Sequence, residues 1–176
     1  MECYKFLSHD AVRFVGPIIS ANKEIDAKAF RSRTSMMNSI ALLIVVFLAG
    51  ASAFHFYWAL GGKTGWNVSI PHQKDGTPLF VPPKLATAAV ALLLLMIAAT
   101  VALFALQVVS IVPRNLQRAG IFILALIFLA RGLSWHQYVG LFKSVRSTEF
   151  ARNDTWFYSP ACVATGSGLL YLSWLG

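Results

Sequence analysis

The sequence predicts an all-α integral membrane protein, a four-helix bundle preceded by a basic N-terminal cytoplasmic segment with amphipathic spacing. Composition is the first observation behind this. Of 176 residues, 57% are hydrophobic and 12% are charged, whereas an ordinary soluble domain carries about twice that charged fraction. The second is that the charges are separated by apolar gaps long enough to cross the roughly 30 Å hydrocarbon core. The third is that prolines stand at the edges of those gaps, where a helix tolerates them, and not inside.

The first gap lies between Arg33 and Lys63 and predicts a span over 38–60. Ala51-Ser52-Ala53 resembles a signal-peptide cleavage site, but the basic region before it is too long and apolar residues continue to Leu60, so an uncleaved span is expected. The second gap, opened by Pro82-Pro83 and closed by Pro113, predicts a span over 85–112. The third, over 119–138, contains Arg131, and the fourth, over 159–176, has Ser159 as the expected N-cap and Pro160 as the first helical residue. This divides the chain into a tail, 1–37, and a four-span domain, 38–176.

The tail places Leu7, Ala11, Phe14, Val15 and Ile18 at helical spacing, with a break expected at Gly16-Pro17 and a second helix carrying Glu24 and Lys28. Lys5, Arg13, Lys23, Lys28, Arg31 and Arg33 precede the first span, and Arg114 and Arg118 fall in the expected second loop. That excess over the opposite side puts both termini in the cytoplasm. The net charge of +8 is therefore a membrane signal, and nothing resembles a nucleic-acid-binding fold.

None of the seven carboxylates falls inside an expected span, which argues against a proton-coupled transporter. Arg131 is the exception among the cations. An intramembrane guanidinium is expensive unless paired, so its expected partners are Asp154, Glu149, Asp75, backbone carbonyls or the face of Trp135. His55 and His136 lie near the same interface; they could ligate a haem between them, or equally sit as amphipathic residues with polar tips in the headgroups. Cys3 and Cys162 are far apart in sequence, and no metal site or catalytic group is expected. Ala161, Ala164, Thr165 and Gly168 form a small-residue face suited to close packing within the bundle or with a partner.

These residues also carry a resemblance. Phe56-Tyr57-Trp58-Ala59-Leu60-Gly61-Gly62, the pair Arg131-Gly132, Val139-Gly140-Leu141-Phe142-Lys143, and Thr148 through Asp154 to Tyr158-Ser159-Pro160-Ala161-Cys162 are similar to the bacterial membrane family known as domain of unknown function 3995. The resemblance implies four spans, a bacterial inner membrane and no established activity. By motif match it highlights Trp58, Gly61, Gly62, Arg131, Gly140, Lys143, Thr148, Phe150, Asp154, Tyr158 and Ser159. One departure stands out: Leu133-Ser134-Trp135 occupies the place where an acidic Gly-Asp-Phe is expected after the arginine, so Arg131 must lean on Asp154 or Glu149.

The expected function is non-catalytic. The chain would bind a membrane-embedded or periplasmic protein, as an accessory subunit or as an immunity protein against a membrane-acting antibacterial toxin, with a homo-oligomer through small-residue faces as a further association. The alternative is a lipid or small-molecule site, haem included, at the periplasmic mouth around Arg131. The candidate binding cluster is His55, Trp58, Arg131, Trp135, His136, Lys143, Asp154 and Tyr158.

Overall fold

A computed structural model describes residues 3–108 and 111–176, with side chains from residue 21 onward. The described residues form helices and no strand; the one β-bridge, between His72 and Pro78, is isolated. The helices are α1 (Cys3–Ala59), α2 (Trp66–Ser69), α3 (Lys84–Ala105), α4 (Arg114–Gly132), α5 (Glu149–Asn153), a π-helical turn (Asp154–Tyr158) and α6 (Ser159–Leu175). The protein is thus an all-α helical bundle. Three helical segments are long and apolar enough to cross a membrane: Ala21–Ala59 of α1, α3 and α4.

The chain divides into two compact units, Met1–Asn38 and Ser39–Gly176. In the first, α1 continues through Gly16-Pro17, where a break was expected. A proline removes one helical hydrogen bond, and its clash with the preceding residue is relieved when that residue is a glycine without a Cβ. The apolar spacing at Leu7 to Ile18 lies outside the described side chains. Further along, Lys28 and Glu24 form the expected pair one turn apart, at 3.2 Å and largely exposed.

In the second unit the helix ends differ from the expected ones, each for a local reason. Helix α1 stops in a Schellman motif: Gly61, at φ +100°, donates its N–H to Trp58 O, and the Gly62 N–H reaches Tyr57 O, both at 2.9 Å. Helix α3 ends at Ala105, well short of 112, because Gln107 takes the left-handed conformation (φ +55°) and folds the chain back, with its N–H on Phe104 O. Helix α4 begins at Arg114, so Arg114 and Arg118 are helical residues and not loop charges, and it ends at Gly132, not 138. Beyond Gly132 the Ser134 hydroxyl accepts from the His136 N–H, while the N–H groups of Leu141 and Phe142 take the carbonyls of Gly132 and Ser134. These bonds replace another helical turn.

The last helical rod starts ten residues earlier than expected. Thr148 is its N-cap, its hydroxyl accepting from the Ala151 N–H at 3.1 Å. Ser159, expected as the cap, has helical dihedrals (φ −67°, ψ −46°) and donates its N–H to Asp154 O, five residues back. Pro160 explains the wider turn: it has no N–H, and in a regular helix its ring meets the carbonyl four residues earlier.

Helices α4 and α6 pack antiparallel along a seam of glycines. A Cβ on Gly132 would stand 2.9 Å from the Ser159 carbonyl oxygen, and one on Gly166 would stand 2.9 Å from that of Ala125. At Gly168, a Cβ would meet Ile44 of α1 at 2.9 Å, and Thr165 is buried. The small-residue face of α6 is therefore covered in part by α1. Ser52, inside α1, donates its buried hydroxyl to Ala91 O of α3 at 2.8 Å.

The seam makes a paired prediction. Gly166→Ala should destabilise the fold by about 1–3 kcal/mol, because backbone must move to admit the methyl. Gly120→Ala, with open space around its position, should stabilise it by about 0.5–1 kcal/mol through helix propensity. Unfolding in mixed detergent followed by circular dichroism compares the two.

Candidate functional site

The chemistry of the chain concentrates at the C-terminal end of α4. Asp154, first residue of the π turn, is fully buried. Its Oδ1 accepts from Arg131 Nη2 at 2.9 Å. Its Oδ2 accepts from the Gly140 N–H at 2.9 Å and from Lys143 Nζ at 3.1 Å. Lys143 is itself buried, and its remaining hydrogens go to Gly140 O at 3.1 Å and Thr155 Oγ1 at 2.6 Å. All three donors of the ammonium are thereby used.

Local backbone shape builds this arrangement. Gly140 holds φ +97°, a conformation that L side chains rarely adopt, and this turn presents its N–H to the carboxylate and its carbonyl to Lys143. The π turn carries Asp154 and Thr155 to the same point, with Thr155 Oγ1 donating back to Ala151 O at 2.9 Å. Burial raises the pKa of the Asp154 carboxyl, but the hydrogen bond and charge of Arg131, with Lys143 and the Gly140 N–H behind them, outweigh it and hold the carboxyl below the usual carboxylate range. With one donor on Oδ1 and two on Oδ2, two of them cations, Asp154 is held as an ion-pair partner and not as a free general base. The two cations and one carboxylate leave a local charge of +1, and Arg131 Nη1 and the Ser159 hydroxyl are buried without a protein partner.

Of the partners expected for Arg131, the one it bonds is Asp154. Trp135 instead stacks on Phe142, with ring centroids 4.9 Å apart and planes 13° from parallel. His136 is exposed, its Nδ1 accepting from the Tyr138 N–H at 3.3 Å. His55 and Trp58 belong to a different cluster. His55 Nδ1 bonds Ala51 O at 2.7 Å, and Trp58 Nε1 donates to Thr64 O at 2.8 Å. Both line a cavity of about 300 Å³ together with Trp66, Ser69 and Phe80. Tyr158 touches that cluster through its hydroxyl, 3.2 Å from Ser69 Oγ. The eight residues thus separate into an ion network around the buried Asp154 (Arg131, Lys143, Asp154), an aromatic cavity with its Tyr158 contact (His55, Trp58, Tyr158), and an exposed loop (Trp135, His136).

Sequence reasoning missed the Gly140 N–H, the Thr155 hydroxyl and the cavity walls Trp66 and Phe80. Motif similarity alone marks Lys143, and nothing else in its segment singles it out. Among the described residues, no three of His, Cys, Asp and Glu come together to hold a metal.

The family described as Protein of unknown function (DUF3995) matches residues 48–169. The chain belongs to the DUF3995 family. No curated protein and no solved structure matches it. The DUF3995 match takes in Arg131, Gly140, Lys143, Asp154 and Thr155 together with the aromatic cavity, and excludes the tail. Within it, Leu133-Ser134-Trp135 carries no acid, and Asp154 supplies the carboxylate from the next helix.

The charge count orders the effects of substitution. Asp154→Asn leaves the buried Lys143 and the partly exposed Arg131 facing no anion and should destabilise the protein by about 3 kcal/mol, the low end for a broken buried pair because water reaches Arg131. Lys143→Met leaves the balanced pair Arg131–Asp154 and should cost less. Because the folded-state pKa of Asp154 is depressed, its stabilisation is complete above the unfolded value of about 4 and is lost as pH falls below it. Acid titration of unfolding midpoints should therefore show a decline below about pH 4 in the wild type that Asp154→Asn lacks.

Proposed function

We propose that this chain is a non-catalytic, four-span protein of the bacterial inner membrane with both termini in the cytoplasm. On this reading it binds another protein in the bilayer or on its periplasmic face, as an accessory subunit or as an immunity protein against a membrane-acting toxin. Helix α6 is the fourth span, with Asp154 just outside it, and the Arg114/Arg118 end of α4 faces the cytoplasm, in keeping with the excess of Lys and Arg on that side.

The observation that carries the partner reading is how little the helices cover one another. The most apolar windows of α1, α3 and α4 are only 22%, 22% and 17% buried, with Leu92, Leu93 and Met96 of α3 and Ile123, Leu126 and Ile127 of α4 open. Helix association in lipid is driven by van der Waals packing and interhelical hydrogen bonds, and these uncovered faces leave surface on which a partner helix can pack. The non-catalytic part rests on the Asp154 network, whose ionisable groups are bonded to one another. A second reading, a small-molecule site, is favoured by the cavity beside His55; a Soret band in the purified protein would make that molecule haem, and its absence would remove haem.

Photo-crosslinking residues introduced at Leu93 and Leu126 in cells test the partner reading. A discrete band heavier than the chain, carrying a second protein, is the expected product, and a band of twice the chain mass would assign a second copy. Crosslinks to lipid alone would sink it. Lys74→Cys, in a cysteine-free background, should be labelled from outside intact spheroplasts, and Arg33→Cys should not.

A further inference from the structure

The second end of α4 carries two arginines in a different situation from Arg131. Arg118 donates from Nε to Ser173 O at 3.0 Å and from Nη2 to Trp174 O at 2.9 Å, capping the last carbonyls of α6. One turn earlier, Arg114 donates from Nη1 to Phe104 O at 3.1 Å and from Nε to Gly176 O at 3.3 Å. Among the described residues neither forms an ion pair with an Asp or Glu side chain, and the charge of Arg118 meets only the carbonyl dipoles of Ser173 and Trp174. The fork of Arg118 retains N–H donors on Nη1.

From this charged end a groove of about 650 Å³ runs between α4 and α6, lined by Arg118, Phe122, Ser167, Leu170, Tyr171 and Trp174. Phe122, Leu170 and Trp174 are exposed along it. Its exposed walls are mostly apolar beyond the arginine, with Ser167, Ser173 and Tyr171 as the polar members. A largely apolar groove that ends on a guanidinium with no carboxylate partner, beside an exposed tryptophan of the kind that sits at headgroup level, matches a molecule with a long hydrocarbon part and an anionic head.

We propose that the α4–α6 groove holds one anionic glycerophospholipid, its phosphate on the free edge of the Arg118 guanidinium and an acyl chain along Phe122 and Leu170. Arg131 makes the contrast: its charge is met by Asp154 from within the chain, whereas the charge of Arg118 is met from the membrane. A charge-assisted guanidinium–phosphate bond distinguishes an anionic head from a zwitterionic one, whose own cation competes.

The full-length protein in mild detergent, examined by native mass spectrometry with phosphatidylglycerol or phosphatidylcholine of identical acyl chains, tests this. The wild type should retain one phosphatidylglycerol with about tenfold preference, the effect of one charge-assisted bond. Arg118→Gln should abolish the headgroup preference. Ser167→Phe, which fills the groove away from the charge, should lower retention of both lipids at least about fivefold, a loss of near 1 kcal/mol. Equal retention of the two lipids by the wild type, or full retention by Ser167→Phe, overturns the proposal, and both hold their meaning even where Arg118→Gln fails to fold. Displacement of the lipid by equimolar inorganic phosphate would overturn it too, since it would place the affinity in the phosphate and not in the groove.

Discussion

A carboxylate removed from water must be met by cations and hydrogen-bond donors, and Asp154 imposes that requirement on everything around it. The two nearest cations both precede it in the chain, Arg131 in the last turn of α4 and Lys143 in the loop that follows. The acid itself comes from the start of the next helical rod. To bring them together, α4 has to end at Gly132, the loop has to double back through the left-handed turn at Gly140, and the rod has to begin at Thr148. The segment 133–148 is thus a strap tied to Asp154 by charge, from Arg131 just before it and from Lys143 within it. Coulombic attraction here operates where water screens it little, so a single acid can organise some two dozen residues.

Helix α4 is held at its two ends by different physics. At Arg131 the partner is a formal charge; at Arg114 and Arg118 the partners are the terminal carbonyls of α3 and α6 together with a cation–π contact, Arg114 standing 4.0 Å above the Phe104 ring. Between them the contact with α6 depends on the absence of side chains at Gly132 and Gly166. Polar fastening at the ends and close backbone approach in the middle form a sensible division of labour in lipid. Apolar side chains gain nothing there by leaving solvent, so packing and polar bonds must hold helices together.

Much of this was legible in the sequence. Gaps between charges locate three membrane-length helices, because the bilayer excludes charge, and the cost of an unpaired guanidinium pointed from Arg131 to Asp154. The helix ends were not legible, since they follow from backbone choices that hydropathy does not record. Gln107 adopts a left-handed cap usually left to glycine, Ser134 diverts its neighbours into a loop, and Pro160 is tolerated inside a helix because the turn before it widens. The site was half legible for a related reason. Its charged members betray themselves by their expense, but a backbone N–H at Gly140 and a hydroxyl at Thr155 are unremarkable letters until the turn that aims them is known.

The π turn at Asp154–Tyr158 separates two phases of one helix. A regular helix advances about 100° per residue, so the extra residue in this turn rotates everything before it relative to everything after it. The face of α6 that meets α4 and α1, carried by Ser159, Thr165, Gly166, Leu169 and Leu172, is consequently out of register with the face that delivers Asp154 to its cations. Were the rod regular, one azimuth would have to satisfy both the apolar seam and the ion network. With the slip in place, the apolar half of the rod and its charged head answer to separate constraints, and sequence change in one need not disturb the aim of the other.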